Sequence, residues 1–193
     1  MKSRDLFFLI LLLPLALSLP SCVAIGVGAT VATVDIVHSR RTAGVYIDDG
    51  AIELKVREFF VREPELRKNA HLSVTSMNGI VLLSGEAPTV ELRNKVEAHA
   101  KSVGSVRQTV NEIRVAGKTA LFSRANDTWL TSKVKTRLFT ETKLDATRVK
   151  VVSEYGNVYL MGLVSRAEAA RATDVVRGVG GVVRVVKVFE YTD

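Results

Sequence analysis

From Ile47 onward the chain repeats one pattern at a spacing of about 77 residues, so each copy must be a single supersecondary unit. In the first copy Asp49 precedes a helical pattern with Ile52, Val56, Phe59 and Phe60 on one face. In the second, Asp127 precedes one with Leu130, Val134 and Leu138, and Lys55-Val56 is answered by Lys133-Val134. An Asp just ahead of an amphipathic run signals a helix N-cap, because its carboxylate accepts the first free amide protons. Each helix leads into two strand-like runs around a turn. These are Leu72–Thr75, Asn78-Gly79 and Ile80–Leu83 in one copy, and Val149–Val152, Gly156-Asn157 and Val158–Met161 in the other. Asn-Gly and Gly-Asn supply the positive φ that tight hairpins need. Gly85 and Gly162 close the hairpins, and a second helix follows with Leu92, Val96, Ala100 and Val103, or Ala169, Ala172, Thr173 and Val176, as its apolar face. Gly104 and Gly180 read as its stops. Last strands run over Val106–Val115 and Val182–Phe189. The expected order is αββαβ, twice.

Composition supports two small cores: of 193 residues, 47% are hydrophobic and 24% charged, which is too apolar for a disordered chain. The formal charge of +7 suits an anionic partner, nucleic acid or membrane, and composition does not separate the two. With aromatics at only 6%, the stacking platforms of a single-strand nucleic-acid groove are scarce, and no nucleic-acid partner is expected.

The amino terminus says where the chain resides. Met1 to Asp5 carries Lys2 and Arg4, and Leu6 to Leu19 is an apolar run broken by Pro14 and Ser18. Its length falls short of the roughly 20 residues of a spanning helix, so residues 1–21 read as a secretory signal peptide. Leu19-Pro20-Ser21-Cys22 resembles the bacterial lipobox, in which the thiol accepts lipid, although Pro20 departs from the usual residue at its position. Acyl chains such as palmitate on Cys22 would each add about 0.8 kcal/mol of anchoring per buried methylene. The other reading of a lone cysteine is a free periplasmic thiol, since an internal disulfide needs two. Val23 is not the Asp that retains lipoproteins at the inner membrane in the familiar sorting pattern, which implies the outer membrane. Residues 22–46, rich in Val, Ala, Gly and Thr up to Val37, read as a tether. The first module then covers 47–116, a linker 117–124, and the second module 125–193.

The order helix, Asn-Gly hairpin, Gly after the second strand, helix, then Val179-Gly180-Gly181-Val182-Val183-Arg184-Val185 resembles the BON domain. Asn126-Asp127-Thr128-Trp129, Lys133-Val134 and Leu160-Met161-Gly162-Leu163-Val164 are the most specific matches. With the lipobox, nearly everything after Cys22 resembles a dual-BON outer-membrane lipoprotein. That resemblance implies an α+β fold of two tandem domains, each a three-stranded mixed sheet packed on two helices. It also implies a non-enzymatic protein facing the periplasm that keeps the outer membrane intact. Its partner would be anionic phospholipid such as phosphatidylglycerol or cardiolipin, contacted chiefly by the second copy.

Helical spacing of about 100° per residue gives a first account of that surface. Leu130, Val134 and Leu138 cluster toward the core, leaving Trp129 and Phe139 each about 40° from the outward direction. Thr136 lies between them, Lys133 and Lys135 flank them, Lys143 follows the helix, and Arg137 sits nearer the core side. Trp favours a membrane interface because its ring is apolar while its N–H reaches headgroups. A base near an anionic leaflet adds roughly 1 kcal/mol. Trp129, Lys133, Lys135, Thr136, Arg137, Phe139 and Lys143 are therefore the expected lipid-binding residues. The first copy places Leu54 outward and has no aromatic in the place of Trp129. The same aromatics also suit a scaffold docking an envelope protein, and the residues alone allow both readings.

No catalytic or cofactor motif is found. His38, His71 and His99 are scattered without a second ligand at metal spacing, so no metal is expected. Asp48-Asp49 is explained by capping rather than acid–base work, and Ser84-Gly85-Glu86 lacks the strand-elbow-helix context of a hydrolase nucleophile. Gly26 and Gly28 lack a following strand-helix unit to cradle phosphate.

Overall fold

The computed structural model describes residues 41–117 and 121–193, with backbone alone for 121–124. Cys22, the leader, the start of the tether and His38 lie outside the described residues. The first module comprises α1 (Ala43–Arg62), a short α2 (Pro64–Asn69), β1 (His71–Met77), β2 (Ile80–Ala87), α3 (Val90–Ser102) and β3 (Gln108–Val115). The second comprises α4 (Leu121–Phe139), a 3-10 turn (Ala146–Arg148), β4 (Lys150–Glu154), β5 (Asn157–Val164), α5 (Arg166–Arg177) and β6 (Arg184–Tyr191). Both modules fall in one compact unit. No helix among the described residues is long and apolar enough to cross a membrane.

The chain is α+β, with αββαβ order in the second module and the same order plus the short α2 in the first, and two three-stranded mixed sheets, β1-β2-β3 and β4-β5-β6. The hairpin strands pair antiparallel and the last strand runs parallel to the middle one. A parallel neighbour requires a crossover, which α3 and α5 provide. Thr89 caps α3, and Ser165 with Glu168 forms a capping box on α5 in which each satisfies the other's backbone amide.

Asp49 and Asp127 are not N-caps. The helices start earlier, at Ala43 behind the Thr42 cap and at Leu121, so both Asp side chains emerge inside a helix and are buried. Each turns toward the hairpin of its own module. Asp49 accepts from the amides of Asn78 (2.8 Å) and Gly79 (2.9 Å) and from the Ser76 hydroxyl (2.6 Å), and pairs with Arg41 (2.9 Å). Asp127 accepts from the amides of Tyr155 (2.9 Å) and Gly156 (3.1 Å). The turns they hold have positive φ at both central residues, 54° and 72° at Asn78-Gly79 and 53° and 72° at Tyr155-Gly156. The second turn is thus one residue earlier than Gly156-Asn157, and Asn157 begins β5. Positive φ at a tyrosine is unfavourable, and the buried carboxylate fixed on its amide offsets the strain. The second helices also stop before the expected glycines, α3 at Ser102 and α5 at Arg177 with Gly178 as its cap.

Strand alternation sorts the apolar residues into three cores. Val81 and Leu83 of β2 point to the helices of the first module, where Ile52, Val56, Val96 and Ala100 meet them. Val158 and Leu160 of β5 do the same in the second, against Leu130, Val134, Leu138, Ala172 and Val176. The alternate residues Ile80 and Leu82 of β2 meet Tyr159 and Met161 of β5 and Val188 of β6 in a third core, so the two sheets pack against each other. Each middle strand is buried on both faces, which is why both read as unbroken apolar runs. Polar ties rim this interface: Arg107 with Glu190 (2.8 Å), Arg184 with Glu112 (2.5 Å) and Lys150 with Glu53 (3.3 Å).

Candidate functional site

Helix α4 lies on its module with Leu130, Val134 and Leu138 inward, each no more than 1% exposed, while Trp129 and Phe139 are 59% and 64% exposed. The two aromatics occupy opposite flanks of the outward face. Beside the Trp129 flank a groove of about 690 Å³ opens between α4 and the loop after α5, lined by Trp129, Ser132, Lys133, Thr136, Arg137, Thr140, Gly178, Val179 and Gly180.

Lys133 organises this groove. Its ammonium donates to the Gly180 carbonyl (2.7 Å) and lies 4.7 Å from the centre of the Trp129 ring. One cation thereby ties the helix to the loop and holds an exposed indole in place through a cation–π contact. The Thr136 hydroxyl, which lines the groove, donates to the Ser132 carbonyl (3.0 Å) and keeps its oxygen lone pairs as acceptors. Arg137, which helical spacing puts near the core side, is exposed and lines the groove. Among the described residues no acidic side chain forms an ion pair with Lys133, Lys135, Arg137 or Lys143. The positive charge of this end is therefore available to an anion.

The structure thus gathers Trp129, Lys133, Thr136 and Arg137 into one groove, while Lys135 and Phe139 lie on the other flank of α4 and Lys143 follows in the loop. Sequence reasoning did not place Ser132, Thr140, Gly178, Val179 or Gly180 at this surface; Gly180 read as a helix stop and, with Val179, as part of the family motif. Helical spacing from Trp129 points to Ser132 and Thr140, but the far wall belongs to another element and has no local signal.

The first module provides a contrast. Aligning Asp49 with Asp127 puts Ala51 at the place of Trp129 and Glu58 at the place of Thr136. On α1 two of the three bases are ion-paired along the helix, Arg57 with Glu53 (3.0 Å) and Arg62 with Glu58 (2.5 Å). The same helix therefore presents a largely ion-paired surface in one copy and a basic, aromatic one in the other.

Of the described histidines, His99 stacks on Phe59 with ring centroids 4.2 Å apart, a packing role. His71 lies between the sheets with its Nδ1 3.6 Å from Glu86 and 3.7 Å from Glu154. Spacing along the chain gives no hint of this, because the second carboxylate comes from the other module.

Comparison with known proteins agrees with the repeat. The family model described as BON domain matches residues 48–117 and again 126–193. The chain is 35% identical over 185 residues to the outer membrane lipoprotein DolP of Haemophilus influenzae, covering 96% of each chain. It is 36% identical over 151 residues to a 21 kDa hemolysin of Actinobacillus pleuropneumoniae, covering 78% of each. The osmotically-inducible protein Y of Escherichia coli is 30% identical over 147 residues, covering 75% of this chain and 73% of that one.

Proposed function

Because the chain belongs to the BON domain family as an outer-membrane lipoprotein, we propose that it binds anionic phospholipid through helix α4 of its second module and thereby supports outer-membrane integrity without catalysing a reaction. One observation carries this reading: an exposed Trp129 is held by Lys133 at the mouth of a groove that also presents Arg137, with no acidic ion-pair partner among the described residues. A phosphate diester fits such a place. Its charge meets Lys133 and Arg137, a phosphate oxygen accepts from the bases, and the indole enters the interfacial layer. Phe139 and Lys135 on the other flank provide a second apolar and basic contact, so the helix lies along the membrane surface rather than across it. Cys22 is the proposed point of lipid attachment, which keeps α4 near the leaflet.

Sedimentation with vesicles tests the reading. The protein lacking its acyl anchor should pellet with phosphatidylglycerol vesicles and stay in solution with phosphatidylcholine ones, and Trp129→Glu should abolish pelleting. Binding should weaken as salt rises. If binding ignores headgroup charge and salt, or survives Trp129→Glu, the surface serves an envelope protein partner instead. Palmitate labelling that persists in Cys22→Ser would exclude Cys22 as the anchor.

A further inference from the structure

We propose that His71, Glu86 and Glu154 form a binding site for a divalent transition-metal ion, joining the two modules. The three residues come from three strands. His71 stands directly opposite Glu86 in the β1–β2 register, and Glu154 ends β4 of the second module. Their ligating atoms all lie within 4.8 Å of one another, with His71 Nδ1 at 3.6 Å from Glu86 and 3.7 Å from Glu154. Zinc bound tetrahedrally by nitrogen and oxygen at about 2.0–2.2 Å separates its ligand atoms by about 3.4 Å. His71 Nδ1 stands a few tenths of an ångström beyond that from each carboxylate, and the three ligand atoms span no more than 4.8 Å, a gap that side-chain rotation closes.

The donor set suits the ion. One imidazole and two carboxylates offer nitrogen and oxygen to a metal of borderline softness, and two negative charges balance a dication when the imidazole is neutral. The side chains are 23% exposed at His71, 10% at Glu154 and 0% at Glu86. There is also a way in: a groove of about 300 Å³ lined by His71 and Glu154, with Asp127, Thr128 and Thr131 beyond, opens the site to solvent and leaves room for water as a fourth ligand.

Gly85 holds the geometry. A Cβ there would come within 2.0 Å of the His71 carbonyl oxygen, and its φ is +103°. Only glycine lets the β1 backbone lie this close, and that approach sets His71 against Glu86. Because β1 and β2 belong to one module and β4 to the other, metal binding and inter-module stability are coupled.

Isothermal titration of the full-length protein in detergent with zinc chloride should show one equivalent, and zinc should raise the melting temperature. His71→Gln and Glu154→Gln should each weaken binding at least tenfold, whereas His99→Gln, whose ring stacks on Phe59, should leave it unchanged. If either variant fails to fold, cobalt(II) on the wild-type protein decides: intense visible bands of a four-coordinate ion support the site, and weak octahedral bands overturn it. Absence of a zinc equivalent overturns the proposal, as does an equivalent that survives both variants. A response to acidification through His71 without zinc uptake would make the cluster a buried ion pair only, and also overturns it.

Discussion

Replacing Asp127 by Ala tests the account of how each helix is locked to its hairpin. The carboxylate accepts from the amides of Tyr155 at 2.9 Å and Gly156 at 3.1 Å, and it is buried. Hydrogen bonds to a charged group contribute about 1.5–3 kcal/mol each. Removing both also relieves the cost of burying the carboxylate, so the sum falls at the lower end, about 3 kcal/mol. That is more than a hundredfold in the folding equilibrium. Urea unfolding should show this loss with little change in slope. Amide exchange should localise it: Tyr155 and Gly156 should exchange about a hundredfold faster, while Asn78 and Gly79, held by Asp49, keep their protection. Asp127→Asn retains one acceptor but sets its NH2 against the second amide, so it should lose more than half as much. A loss below about 1 kcal/mol in the Ala variant, with both amides still protected, would show that the carboxylate does not hold the turn.

Other expectations follow from the inter-module contacts. Burial, with the nearby Glu112 charge, pushes the Tyr159 phenol up to about 12. Its stabilising effect is therefore complete below the ordinary tyrosine value and is lost as pH rises through the folded one, so alkaline unfolding should be delayed in Tyr159→Phe, and the last phenolate step at 295 nm should disappear. Glu190 is held below its ordinary value of 4.5 by the hydrogen bond from Arg107, so its contribution is present at neutral pH and fades as pH falls through the lowered value. Arg107→Gln should flatten that part of the acid unfolding curve. Leu82→Ala opens a cavity between the sheets and should cost about 2–5 kcal/mol in urea unfolding, with amide shift changes reaching β5 and β6. An effect confined to the first module would argue against sheet-on-sheet packing.

Much of the fold was legible because its signals are local. Positions such as Val96, Ala100, Ala172 and Val176 recur at helical spacing, and the inward faces of α3 and α5 follow from that alone. The exposed state of Trp129 also followed from spacing within one helix. Asp49 and Asp127 were misread for a physical reason. An Asp before an apolar run looks the same whether it caps its own helix or reaches a turn of a later hairpin, and only the packing of helix on sheet distinguishes them. The groove beside Trp129 was half legible: its α4 wall has helical spacing, but Gly178 to Gly180 arrives from another element.

By itself, then, the sequence determined the twofold αββαβ repeat, the helical core faces and the inequality of the two copies, since Trp129 has no aromatic counterpart in the first copy, while the mixed sheets came from the resemblance to the BON domain. The repeat and the core faces rest on patterns among residues near in the chain. Only the tertiary structure decided that the sheets meet through Leu82, Tyr159 and Met161, and that Lys133 clamps the groove to Gly180. It also decided that His71 meets Glu86 and Glu154. Burial of a second sheet face is settled by apolar area and shape summed over both modules, and no periodicity within one strand encodes the partner that covers it.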